Sequence, residues 1–387
     1  MKVILTEKVP IKMWLNEIED GAAEQAKNLA NLPFIFKHLV IMPDSHQGYG
    51  MPIGGVLATN NVIIPNAVGV DIGCGMCAMK TSLTEIDKNQ LSAIVYLIKL
   101  CVPVGFHHQK IPQKEWILDI EKSDLVHTVI EEQYQSSLSQ IGTLGGGNHF
   151  IEIQKGDDGH IWVMIHSGSR NLGKKVADHY NKIAIELNSV WYSGVEKSKE
   201  LAFLPIQTPE AKAYIKEMNY CVRFALENRK LMIENIRKCF LEVLCDTEFE
   251  NIINIAHNYA RFEHHFGQNV IVHRKGATSA NKGEIGIIPG SMGTKSYIVE
   301  GLGNPDSFMS CSHGAGRKMG RKQAQRELNL ENEIEIMESQ GIIHDIKTID
   351  DLDEAAGAYK DIDVVMGNQK DLVRILVQLK PLAVIKG

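Results

Sequence analysis

Apolar residues in the first 80 positions come in short runs, at 39–42, 62–65 and 68–72, cut by Gly, Pro and Asn. That pattern predicts strands joined by tight loops. Helical spacing covers 86–100 and 176–190, and most strongly 209–244. In that last stretch Ala211, Ile215, Met218, Val222, Ala225, Met232, Ile236, Phe240 and Val243 recur near the period of about 3.6. Thr208-Pro209 supplies an N-cap and a first-turn proline. Nothing on this helix looks chemical, and it reads as a packing element. Strand-like runs return at 161–165, 270–272, 285–288 and 382–385, while 327–354 is acidic and helical and reads as a solvated cover. Strands and helices interleave without a regular βαβ count, which predicts a mixed α+β fold.

Composition narrows this only modestly. At 387 residues and 44% hydrophobic content the chain can bury a substantial core, and 23% charged residues exclude a disordered chain. A net charge of −6 argues against indiscriminate coating of nucleic acid but allows a local basic patch. No apolar run reaches the roughly 18 residues of a membrane span, and residues 1–8 turn polar too soon for a signal peptide. Seven irregularly spaced cysteines fit a reduced compartment, so the expectation is a cytoplasmic protein with no membrane partner.

The chemistry is concentrated in glycine-rich contexts. MPDSHQGYGMPIGGV at 42–56 and VDIGCGM at 70–76 set the metal-type ligands Asp44, His46, Asp71 and Cys74 among glycines, inside runs that otherwise look buried. His149 follows Gly145-Gly-Gly-Asn148. His166 and His257 each end an apolar strand, and His313 lies in CSHGAGR at 311–317. One such histidine is more often a hydrogen-bonded structural residue. Four in matching settings, with Asp71 and Cys74, point to a metal site held on rigid elements. His107-His108 and His264-His265 lack that context and read as surface or packing residues. Cys74 and Cys77 form a lone CxxC with no second pair, so neither a zinc knuckle nor a thioredoxin motif is supported. A thiolate can bridge metals, with oxygen and imidazole ligands suiting Mn, Fe or Zn, and Cys77 then reads as packing. GGGN at 145–148 and PGSMGTKS at 289–296 look like phosphate cradles, although neither matches a Walker A or dinucleotide fingerprint. Arg170, Lys174, Lys175, Arg274, Lys275, Arg317, Lys318, Arg321 and Lys322 gather near these loops as a phosphate-facing patch.

Taken in order, 42–56, 70–75, GTLGGGNHFIE at 142–152, HSGSR at 166–170, AHN at 256–258, VHRKGAT at 272–278, 289–294, HGAGR at 313–317 and the closing VIKG resemble the RtcB-type RNA-splicing ligases, nearly end to end. Gln47 and Asn171 depart from the common pattern, where many relatives carry Pro and Gly. The resemblance implies one large mixed α/β domain over 1–387, with intertwined sheets around a central dinuclear metal site. It implies GTP- and Mn(II)-dependent joining of an RNA 3′-phosphate or 2′,3′-cyclic phosphate to a 5′-hydroxyl. Asp71, Cys74, His149, His166 and His257 would bind two Mn(II) ions, with Cys74 bridging, and His313 would take GMP from GTP. Asn148, His149, Phe150, Ile151, Glu152, His257, Asn258, Pro289, Gly290, Ser291, Met292, Ser296, His313, Gly314, Ala315, Gly316, Tyr359 and Lys386 would hold the nucleotide. Two other classes use some of the same features. A dinuclear metallophosphoesterase or cyclic phosphodiesterase would need no nucleotide, and a non-catalytic RNA-binding or metal-sensing module would turn over no GTP.

Overall fold

The computed structural model describes residues 1–114 and 128–387. Two large sheets organise them. The first has six strands in the order Lys2–Ile4, Ile11–Met13, Ile35–His46, Ile53–Thr59, Gln268–Lys275, Asn258–His265. The second has seven, in the order Ile253–Ala256, Gly75–Lys80, Ile161–Ser167, Phe150–Gly156, Val373–Lys386, Ser296–Gly301, Ile285–Ile288. Neighbours are antiparallel except Ile11–Met13 beside Ile35–His46. Strands of the two sheets alternate along the chain, and at His257 the chain passes from the last residue of one sheet's edge strand into an edge strand of the other. A mixed α/β architecture is therefore observed.

The helix Pro209–Val243 forms much as its periodicity predicts, with Thr208 capping Ala211 N and proline in the first turn. Its apolar face packs on Arg170–Val190 and Lys88–Cys101 and on the strands bearing the candidate ligands. Lys88–Cys101 starts at a capping box between Asp87 and Gln90. The run at 68–72 is not a strand. Pro65–Val68 is a short helix that ends at Gly69 (φ 95°), and 70–74 is a loop. That loop needs Gly73 at φ 76°, because a Cβ there would lie 2.8 Å from Val222 Cα. The tail docks as expected but over a longer span: Val373–Lys386 is an interior strand, with Lys386 opposite Phe150 and a bulge between Pro381 and Ala383. Among the described residues no helix is long and apolar enough to cross a membrane.

Candidate metal centre and nucleotide cavity

Five ligand-type side chains converge, four at strands of the seven-stranded sheet and His257 at the crossing into the six-stranded one. Asp71 and Cys74 come from the loop before Gly75–Lys80, with Cys74 N donating to Asp71 O (3.1 Å). His149 immediately precedes Phe150–Gly156, His166 is in Ile161–Ser167, and His257 stands at the crossing between sheets. Asp71, Cys74 and His149 form one group and Cys74, His166 and His257 another, the ligand atoms of each lying within 4.8 Å of one another. Cys74 belongs to both. Its Sγ is 3.5 Å from His149 Nε2 and 3.3 Å from His166 Nε2. His149 Nε2 is 3.2 Å from Asp71 Oδ2, and the Nε2 atoms of His166 and His257 are 3.4 Å apart.

The far sides of the rings decide what these nitrogens are. His149 Nδ1 is 3.0 Å from Leu144 O, and His166 Nδ1 is 3.0 Å from Asn148 O. Carbonyls only accept, so each Nδ1 carries the proton and each Nε2 turns a lone pair inward. Arg170 Nη1, 3.2 Å from His149 Nδ1, is also a donor and is therefore a packing neighbour there. Burial holds His166 and His257 well below the usual histidine range, so both are neutral. Burial, then Asp71, pushes the Cys74 thiol up. At Asp71 burial acts upward, but its neighbours His149, Cys74 and Arg170 together outweigh it and the carboxyl ends below its ordinary value. The inward lone pair of His166, the Cys74 sulfur and His257 Nε2, which is 3.4 Å from His166 Nε2, converge on one point that a cation can occupy. The donor set fits a pair of cations sharing Cys74, and its mixed N, O and S character suits Mn, Fe or Zn.

The helix Pro209–Val243 holds these loops from behind. Arg229 is fully buried and donates to Gly73 O (3.1 Å), Ser167 O (2.8 Å), Ile255 O (3.2 Å) and Asn254 Oδ1 (2.7 Å). Asn228 Oδ1 accepts from Gly142 N and Thr143 N, and its Nδ2 donates to Ser167 Oγ and Gly168 O. Thus one arginine and one asparagine tie segments next to all five ligands. The sequence reading of a purely packing helix missed them. Their signal was available, because adjacent Asn and Arg within the apolar spacing of a long helix require buried partners.

Beside the cluster opens a cavity of about 1100 Å³. His313, just after the strand Ser310–Ser312, packs edge-on against His257 with ring centroids 4.8 Å apart. Asp44, fully buried, places Oδ2 2.6 Å from His313 Nδ1 and accepts from His313 N (3.1 Å) and Gly314 N (3.3 Å). Asp44 is thus an orienting acceptor outside the two ligand groups. His46 also lines the cavity, with Nδ1 3.1 Å from Asp44 O, and burial lowers it to about 4.

Asn148, Phe150, Glu152, Pro289, Gly290, Ser291, Met292, Gly314, Ala315, Gly316, Tyr359 and Lys386 line the same cavity. Lys386 Nζ donates to Gly147 O (2.9 Å). Burial lifts Glu152 to about 8, against the pull of Gln154, whose Nε2 is 2.6 Å away, and of Lys386. Five expected nucleotide contacts stand elsewhere: His149 and His257 face the ligand groups, and the other three are Ile151, Asn258 and Ser296. Ile151 points to the opposite face of its strand, into the apolar core, as the two-residue alternation of a strand dictates. Asn258 donates to Asp71 O (3.0 Å) and accepts from Gly276 N (2.8 Å), and Ser296 Oγ accepts from Gly290 N (3.2 Å) and Gln154. Both brace loops behind the wall. The acidic stretch 327–354 is not only a solvated cover, because Glu354 is buried on Arg317 (3.1 Å) and Arg321 (3.2 Å) and bonds the Tyr359 hydroxyl. Cys77 lies in the core away from the cluster, as expected.

The model of the family described as tRNA-splicing ligase RtcB matches residues 25–135 and 119–387. The chain belongs to the RtcB family. It is 38% identical to the RNA-splicing ligase RtcB of Escherichia coli K12, over 100% of this chain and 99% of that protein. It is 34% identical to the tRNA-splicing ligase RtcB of Nanoarchaeum equitans (98% and 95% covered) and 32% identical to that of Thermococcus kodakarensis (95% and 92% covered). The chain is accordingly a ligase of the RtcB type. Similarity covers the loops, the crossing at His257 and the docked tail together, which the five-ligand cluster requires.

Proposed function

We propose that the chain joins RNA ends bearing a 3′-phosphate, or a 2′,3′-cyclic phosphate first opened to one, to 5′-hydroxyl ends, consuming GTP and using two Mn(II) ions. We further propose that residues 1–387 form one catalytic domain, since the seven-stranded sheet carries most of the ligands while Asp44, which orients His313, stands on the six-stranded one. Asp71, Cys74, His149, His166 and His257 would hold the ions, with Cys74 shared. Such ions supply charge neutralisation at phosphoryl oxygens.

The residues of the chain account for the rest. Asp44 accepts a hydrogen bond from the Nδ1–H of His313 and so leaves Nε2 as the free lone pair. An imidazole held in that tautomer is a competent nucleophile. His313 Nε2 attacks the α-phosphorus of GTP, the P–O bond to the β-phosphate breaks, and pyrophosphate leaves. The RNA 3′-phosphate then attacks the same phosphorus and displaces the imidazole, giving an RNA–pp–G end. A 5′-hydroxyl attacks the RNA phosphorus, loses its proton, and releases GMP. Without this activation the leaving group from a 3′-phosphate would be its own oxygen. Lys386, Glu152 and the Pro289–Met292 loop would orient the nucleotide, and Asn148 would sit between it and His166.

The observation that carries this reading is the 2.6 Å contact of Asp44 with His313 Nδ1, with His313 packed against His257 of the shared-cysteine cluster. A phosphoesterase using water alone has no use for an oriented imidazole there. Incubation with α-labelled GTP and Mn(II), then denaturing electrophoresis, should give an acid-labile, base-stable label that His313→Ala abolishes. Protein that takes no label, or a labelled His313→Ala, overturns the reading.

A further inference from the structure

One exposed aromatic ring on the cavity is used by none of these steps. Tyr49 lines the cavity yet remains 67% exposed, and among the described residues its hydroxyl and ring have no hydrogen-bond or ring partner. A solvated tyrosine on a floppy loop would mean little. This loop is tied on every side. Buried Lys275 donates from Nζ to Tyr49 O (2.6 Å) and Asn66 O (3.0 Å). Gln25 brackets Gly48, donating to its carbonyl (2.5 Å) and accepting from its N–H (3.1 Å), and Glu200 accepts from Gly50 N (3.1 Å). Gly50 itself sits at φ 67°, where its missing side chain lets Glu200 O approach. A buried ammonium and two polar side chains thus hold still a backbone whose only free group is an aromatic face.

The same cavity carries exposed cations. Lys318 and Lys322 line it and remain solvent-accessible, whereas Arg317 is engaged with Glu354 and the Asp353 carbonyl and Arg321 with Glu354. Of the acidic groups beside the tyrosine loop, Glu200 is occupied by Gly50 N and Glu19, which lines the cavity, by the backbone N–H of Gln47. A rigid aromatic face together with free cations on one cavity is the recognition chemistry of single-stranded nucleic acid: bases stack on rings, and phosphates pair with Lys and Arg.

We propose that Tyr49 is a stacking platform for the terminal base of one of the RNA ends being joined, with Lys318 and Lys322 holding the adjoining backbone phosphates. The role rests on the RNA-ligase reading above, and it is independent of base identity because every base has a π face. It makes Tyr49 a positioning residue for the RNA end, with no part in taking up GMP.

The test uses the full chain with Mn(II) and GTP, and RNA ends that are either intact or abasic at the 3′-terminal or the 5′-terminal nucleotide. Tyr49→Ala should label at His313 at the wild-type rate in the absence of RNA. Its KM for RNA in joining should rise about ten-fold or more, the size of one aromatic–base stack, and Tyr49→Trp should restore it. An abasic nucleotide at the stacked end should cost the wild type a similar factor and cost Tyr49→Ala nothing further. The end at which the two penalties fail to add is the end that stacks. 2-Aminopurine placed there should be quenched on binding to wild type and Tyr49→Trp but not to Tyr49→Ala. An unchanged KM for Tyr49→Ala, or abasic penalties that add fully at both ends, overturns the platform while leaving the ligase reading intact. Absence of GTP label in the wild type overturns both.

Discussion

The ligand cluster and the nucleotide wall sit on one cavity but are built on opposite principles. The cluster is made mostly of neutral groups, two imidazoles held uncharged by burial and a thiol pushed up, around one carboxylate that favours its ionised form. Its geometry comes from backbone carbonyls and from Asn228 and Arg229 behind it. The wall is made of charged side chains that restrain one another, Lys386, Glu354, Arg317 and Arg321, with Glu152 lifted by burial among them. The difference teaches where each part is vulnerable. The cluster depends on ligand identity and on distant supports, because its donors are pre-aimed and nothing else in it can substitute. The wall should lose function in steps, because removing one charge leaves others to compensate.

The sharpest way to break that contrast is at Cys74. It is the one ligand common to both groups, so Cys74→Ala should lose both ions by metal analysis and abolish joining. Cys77→Ala, in the core, should keep most activity. A dead Cys77→Ala beside a healthy Cys74→Ala would reverse the assignment. Next in size is Asp44→Asn. The amide can donate to Nδ1 and so favour the other tautomer, which in a comparable histidine–carboxylate pair costs about 10⁴-fold. Guanylylation of His313 should fall by roughly 10³-fold or more while pre-made RNA–pp–G ends are still joined. Equal loss in both assays would mean that Asp44 supports the fold and does not orient His313.

The third test reaches the cluster from outside. Arg229→Met keeps bulk and removes five donors, leaving the carbonyls of Gly73, Ser167 and Ile255 buried without their partner. At about 1–3 kcal/mol per orphaned group, the loss of stability should be on the order of 3–5 kcal/mol, read by denaturant unfolding. The metal content of the folded fraction should fall with it. Stability lost with full metal occupancy would show that the helix braces the fold without setting the ligands.

Legibility follows the same division. The ligands and His313 could be picked out because each stands at a strand end or in a glycine loop, where a polar side chain among apolar neighbours is conspicuous. The supports could not. Arg229 and Asn228 are embedded in a strongly periodic helix, and Glu354 in an acidic stretch, where their types look like ordinary surface. Which neighbours a buried charge meets depends on two sheets crossing at His257, and that is a tertiary fact. Strand alternation could have separated Ile151 from Phe150 and Glu152, since it needs only the register of one strand. The helices at 88–101 and 209–243 were legible from caps and period, whereas 68–72 misled because a short apolar run does not distinguish strand from helix end.

The fourth test concerns the wall without nucleotide. Burial raises Glu152 to about 8, so between roughly pH 4.5 and 8 the folded state binds a proton that the unfolded chain has released. Stability should therefore fall as pH rises through that window, by an amount on the order of 5 kcal/mol. Glu152→Gln should flatten this part of the pH–stability curve and be the more stable protein above pH 8. An identical slope in both proteins would place the titration elsewhere.

The smallest effect should come from Lys386. Its strand is interior, between Phe150–Gly156 and Ser296–Gly301, so the ammonium is delivered to the cavity by a well-paired backbone and not by a frayed tail. There it has Gly147 O as its direct partner, and its charge is opposed to those of Glu354, Asp353 and Glu152. Lys386→Ala removes one charge-assisted hydrogen bond to an incoming nucleotide, about 1.5–2 kcal/mol, or roughly ten- to thirty-fold in guanylylation. The loss should appear in the KM for GTP, with metal content and unfolding midpoint unchanged, and Lys386→Arg should recover part of it. Deleting residues 386–387 should do the same. If deletion instead shifts the unfolding midpoint as far as Arg229→Met does, the tail belongs with the rigid supports of the cluster, and the wall is less forgiving than its network of charges implies.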